Sequence, residues 1–124
     1  MRKLGGVVTA AAVAAALVAT IPVAARAANI YDGAWTVTIF TQAGNCPSSL
    51  RYGVRVVQGR VFGDDQSYQV NGIVAPNGAT RVTVSEQGQS ASGTGRLSGN
   101  AGAGRWRTST GQCAGQWTAA RRTY

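Results

Sequence analysis

The chain has 124 residues, with twelve Lys and Arg against four Asp and Glu, no histidine and a formal charge of +8. Without histidine it lacks the usual general base and the commonest metal ligand, and its carboxylates, Asp32, Asp64, Asp65 and Glu86, are scattered. That inventory argues against an enzyme and against a metal site, and for a small binding or structural module.

In chain order, the first 27 residues have the layout of a secretory signal. Arg2 and Lys3 form a charged start, Leu4 to Ala19 is apolar, and Ala25-Arg26-Ala27 puts small residues at the −3 and −1 positions. The apolar run is shorter and richer in alanine than a spanning helix, which needs ~20 strongly apolar residues. No cysteine follows it where a lipid could be attached. Cleavage after Ala27 is expected, leaving one domain, residues 28–124, periplasmic or secreted and with no transmembrane segment. Losing Arg2, Lys3 and Arg26 leaves nine arginines against four carboxylates, a net charge of +5.

The remaining chain alternates apolar and polar residues with period two between turn residues, the signal of half-buried strands. Trp35, Val37 and Ile39 share one face, and Leu50, Tyr52, Val54 and Val56 the next. Val61 follows a tight Gln58-Gly59 turn, and Val70 and Val74 lead to Pro76-Asn77-Gly78. Asn77-Gly78 predicts a type I′ hairpin turn. Val82 and Val84 precede Glu86-Gln87-Gly88, itself a predicted hairpin turn. Ala91, Gly93, Gly95 and Leu97 then alternate with polar residues up to a small-residue turn at Ser98 to Gly102. Trp106 lies between Arg105 and Arg107, and Cys113, Gly115, Trp117 and Ala119 face inward on the last strand.

No segment after residue 27 has helical periodicity. The pattern predicts an all-β fold of about eight short antiparallel strands, which must hide their edges. Cys46 lies just past the first strand and Cys113 at the start of the last. A disulfide between them fits an oxidising compartment and first-to-last closure of an up-and-down barrel. Closing a loop of this span contributes about 4 kcal/mol in the chain-entropy treatment. A β-sandwich stapled by the same bond is the alternative.

Two groups of residues are candidates for function. Gly-x-Trp occurs at Trp35, Trp106 and Trp117. The rings either plug a small barrel or form an aromatic platform at its mouth, and Trp35 and Trp117 share a face with aliphatic residues, which favours the core. Arg51, Arg55, Arg96, Arg105 and Arg107 fall on the polar phase and would stud the outside. Arginine there suits phosphate, carboxylate or sulfate groups on anionic polysaccharide, lipid head groups or an acidic exported protein. Nucleic acid is not expected outside the cytoplasm. Solvation alone is the plainer role for such a surface. No cofactor is expected. Haem would need a tyrosine ligand, from Tyr31, Tyr52, Tyr68 or Tyr124.

Asp32-Gly33-Ala34-Trp35, Gly44-Asn45-Cys46, Arg51-Tyr52-Gly53-Val54, Gly93-Thr94-Gly95-Arg96-Leu97 and Cys113-Ala114-Gly115-Gln116-Trp117-Thr118-Ala119 together resemble a group of small secreted proteins of Gram-negative bacteria. Members of that group carry labels of haem utilisation or adhesion, and related domains look like C-terminal appendages of larger proteins. More distantly, a barrel that opens with Gly-x-Trp is similar to lipocalin- and avidin-like ligand carriers. The leading expectation is an exported, non-catalytic module that recognises an anionic or carbohydrate partner through its arginines. Alternatives are a periplasmic inhibitor of an exported hydrolase and a carrier of a small apolar ligand such as haem. The carrier ranks last because three Trp rings are expected to fill the interior.

Overall fold

A computed structural model describes residues 29–123. The expected signal segment 1–27, its cleavage site and Tyr124 lie outside the described residues. Eight strands follow one another around a closed barrel: β1 (Gly33–Ala43), β2 (Ser49–Val57), β3 (Arg60–Gly63), β4 (Gln69–Val74), β5 (Ala79–Glu86), β6 (Gln89–Ser98), β7 (Ala101–Thr108) and β8 (Ala114–Arg121). Each strand pairs antiparallel with the next, and β1 pairs with β8, so the sheet has no free edge. The barrel, and not the sandwich, is the fold.

The β1–β8 register sets Trp35 beside Arg121 and Ile39 beside Trp117. The Cys46–Cys113 disulfide, with Cα atoms 6.2 Å apart, ties the β1–β2 loop to the residue preceding β8. Such a bond is compatible with an oxidising, exported compartment.

The hairpins show how local sequence shapes the turns. Gln58-Gly59 and Gln87-Gly88 have positive φ at both residues (52° and 80°; 52° and 82°), the type I′ geometry that matches strand twist. Asn77-Gly78 departs from the predicted type I′ turn. Only Gly78 has positive φ there, at 93°. Pro76 is locked near −65°, so Ala75 to Gly78 closes as an ordinary turn, with Gly78 N–H donating to Ala75 O at 2.8 Å.

β3 is the weak stave. It pairs with β4 only at Arg60↔Ile73 and Val61↔Gly72, and beyond that it pairs with β2 alone, to Gly63. Tyr68 fills the gap: its hydroxyl donates to Gly53 O at 2.7 Å and accepts from Gly53 N–H at 3.1 Å. A side chain thus joins the Asp64 N–H, which also donates to Gly53 O at 3.1 Å, in satisfying the Gly53 backbone beside the short strand.

Candidate ligand cavity in the barrel

The two ends of the barrel differ. At the end where β1 begins, Asn29 to Asp32 cross the opening and seal it. Trp35, 1% exposed, donates its indole N–H to Tyr31 O at 2.9 Å, and Asn29 Nδ2 donates to Val74 O at 2.9 Å. Arg121 locks the segment down. Its guanidinium lies 4.7 Å from the Trp35 ring centre and donates to Asp32 O at 2.8 Å, Ile30 O at 2.9 Å and Asn100 Oδ1 at 2.9 Å. The Asp32 carboxylate in turn accepts from Gln58 N–H (2.8 Å) and Gly59 N–H (3.0 Å), capping the β2–β3 turn. Val56, Val61, Val74, Leu97 and Ala119 are buried above this floor.

Above that layer the lumen is hollow. A cavity of about 460 Å3 runs from Trp35 to the rim. Below the rim its walls are mostly apolar, with Val37, Ile39, Val54, Val82 and Val84 among them. Val37, Ile39, Val82 and Val84 point inward yet are only half-buried, because the space before them is open.

The tryptophans do not fill this space, contrary to the expectation from their number, although all three are buried: Trp106 is 8% and Trp117 6% exposed. The reason lies in the inward-facing glycines. A Cβ on Gly95 would come within 2.6 Å of Trp117 Cζ2, and one on Gly104 within 2.6 Å of Trp117 Cε2 and Nε1. With no side chains beneath it, the Trp117 indole lies flat against the β6–β7 backbone and donates to Thr94 O at 3.2 Å. Trp106 reaches across to donate to Phe40 O at 3.0 Å, beside the irregularity at Thr41/Ala43 where β1 meets β8. Each indole N–H is satisfied by backbone, and the rings make one wall of the cavity.

At the rim the lining turns polar, with Thr41, Gln87, Gln89, Ser90 and Thr108 around Glu86. Glu86 ends the inward phase of β5 after Val82 and Val84. Its Oε1 accepts the Tyr52 hydroxyl at 3.1 Å, and Tyr52 packs edge-on against Tyr68 with ring centres 4.9 Å apart. Burial, reinforced by the Glu86 charge and hydrogen bond, pushes the Tyr52 phenol up to about 12. Burial likewise raises Tyr68. Tyr52 is therefore a neutral donor across the physiological range.

The five candidate arginines do not form one face. Arg51 and Arg55 sit on β2, whereas Arg96 sits on β6 and Arg105 and Arg107 on β7, with β1 and β8 between β2 and β7. Arg55 Nε lies 3.8 Å from Asp64, which also pairs with Arg122, and Arg96 donates to Asn77 O at 3.1 Å. Asp64 and Asp65 diverge, as adjacent residues must: Asp65 accepts from Ser67 N–H at 2.8 Å, and that hydrogen bonding lowers its pKa. Among the described residues no group of three or more His, Cys, Asp or Glu is placed to hold a metal ion. Of the described tyrosines, Tyr52 alone lines the cavity.

Comparison with protein-family models, curated proteins and solved structures finds no match to this chain. The functional reading therefore rests on the barrel's own geometry. Two residues central to that geometry, Glu86 and Arg121, were not singled out as candidate site residues from the sequence. The signal was there in the period-two pattern: Val82-x-Val84-x-Glu86 and Trp117-x-Ala119-x-Arg121 each extend an inward phase to a charged residue.

Proposed function

We propose that this protein is an exported, non-catalytic carrier that holds one small apolar ligand in its lumen. The observation that supports it is the apolar cavity of about 460 Å3, sealed at the Trp35 end and open at the Glu86 end. Eight strands are the smallest common barrel able to hold one small ligand, and binding pockets fall in roughly the same size range, ~300–1,000 Å3. The space equals that of roughly fifteen liquid waters, which sets the ligand at about 15–20 non-hydrogen atoms. At about 0.3 kcal/mol per atom, such a ligand reaches roughly tens of micromolar to half-millimolar affinity. An arginine-borne anion site is the weaker reading, because the five arginines are divided between two walls and Arg55 has a carboxylate beside it.

The test is titration with a neutral naphthylamine fluorophore, followed by its own emission and by quenching of the three lumen tryptophans. Saturable one-to-one binding is expected in the protein and at least about tenfold weaker binding in Val84→Trp, which fills the mouth half of the cavity. Absence of saturable binding by a folded barrel, or unchanged binding in Val84→Trp, would count against the proposal.

A further inference from the structure

We infer that the lumen selects ligands whose polar end is a cationic amine and rejects carboxylates such as fatty acids; this rests on the lumen being the binding site. Among the described residues, the sole charged side chain lining the cavity is Glu86. Tyr52 donates to Oε1, and no described residue donates to Oε2. An apolar chain seated against the Trp35 end would bring its polar end to this carboxylate.

The charges around the rim reinforce the choice. Residues 41–50, 64–69, 86–90 and 108–113, which build the open end, contain no Arg or Lys; Asp64 is paired with Arg55 and Arg122, which leaves Asp65 and Glu86 as the charges these segments add. Arg51 and Arg107, the nearest arginines along the chain, stand exposed on the outward phase of β2 and β7. The other titratable groups beside Glu86 are the phenols of Tyr52 and Tyr68; burial displaces their ionisation upward, so both stay neutral and add no charge at the mouth. A carboxylate head group entering this mouth would meet like charge and no cationic partner inside the lumen. An ammonium would meet Glu86 with its three donors, and a neutral alcohol would fall between.

The experiment displaces the neutral fluorophore with decylamine, decan-1-ol and decanoate at neutral pH, each below its aggregation threshold. For one ion pair at a partly wetted rim, the amine is expected to bind roughly fivefold to tenfold tighter than the alcohol, and decanoate weaker by a similar factor. Raising salt should narrow both gaps. In Glu86→Gln the ratio of amine to decan-1-ol affinity should fall to about one. Equal binding of amine and decanoate to the parent protein, or an amine preference untouched in Glu86→Gln, would overturn this inference and leave the carrier reading standing. Failure of the fluorophore and all three decyl probes to bind would overturn both.

Discussion

Replacing Arg121 with alanine should unseat the closed end of the barrel. In the parent protein its guanidinium makes three hydrogen bonds at 2.8–2.9 Å and lies 4.7 Å from the centre of the Trp35 ring. A hydrogen bond from a charged donor is worth ~1.5–3 kcal/mol net, but water takes over part of each lost bond at this half-exposed site. The cation–π contact adds ~0.5–1 kcal/mol. With the low-end sum of about 5 kcal/mol reduced by that replacement with water, Arg121→Ala should cost about 3–4 kcal/mol, a large share of the ~5–15 kcal/mol that holds a domain together. At ~4–8 °C per kcal/mol, the melting temperature should fall by roughly 12–32 °C. Thermal melts by circular dichroism would measure it, paired with hydrogen exchange of the Trp35 indole, whose bond to Tyr31 O depends on the seal. Arg121→Lys keeps the charge but not the planar fork, so it should recover only a minor part of the loss. A fall of less than about 5 °C for the alanine variant would refute the sealing role.

Two further outcomes can be measured on the same protein. Removing the disulfide with Cys46→Ala and Cys113→Ala together should cost about 4 kcal/mol by the entropy of a loop of this length, read as a lower guanidinium midpoint, with the β-sheet spectrum retained. Absorbance titration should show Tyr52 ionising near 12, and the Tyr52→Phe variant should lack that step. Because the folded-state value lies above the unfolded one, the unfolded chain gives up this proton first. Stability should therefore be intact below about pH 10 and decline as pH rises toward 12, less steeply in Tyr52→Phe. Glu86→Gln should move the Tyr52 step down only part of the way toward 10, since burial is the larger cause.

The strand pattern was legible because side-chain alternation is local to the chain, and the barrel and the disulfide followed from counting strands and placing the two cysteines. Side-chain alternation has a period of two whatever the partner strand, so Trp35-x-Val37-x-Ile39 and Leu50-x-Tyr52-x-Val54 declared their inward phase unaided. Eight such runs leave no edge only if they close, and Cys46 and Cys113 flank the two strands that must meet. Turn type was less secure: Asn77-Gly78 reads as type I′ until Pro76 is weighed, because one fixed φ outranks the dipeptide preference.

What the sequence could not decide is whether the barrel is full. That depends on which residues lie under each ring, and the β6–β7–β8 register alone sets Gly95 and Gly104 beneath Trp117, so that a residue counted as filling becomes lining. Register likewise turns Arg121 from one surface cation among nine into the clamp over Trp35, and brings Glu86 to Tyr52 across 34 residues of chain. The sequence by itself determined which side chains face in and that the strands must hide their edges, while closure rather than stacking came from the β1–β8 pairing. Only the tertiary structure decided that the space they enclose stays open, because volume inside a barrel is a property of facing strands and not of any one of them.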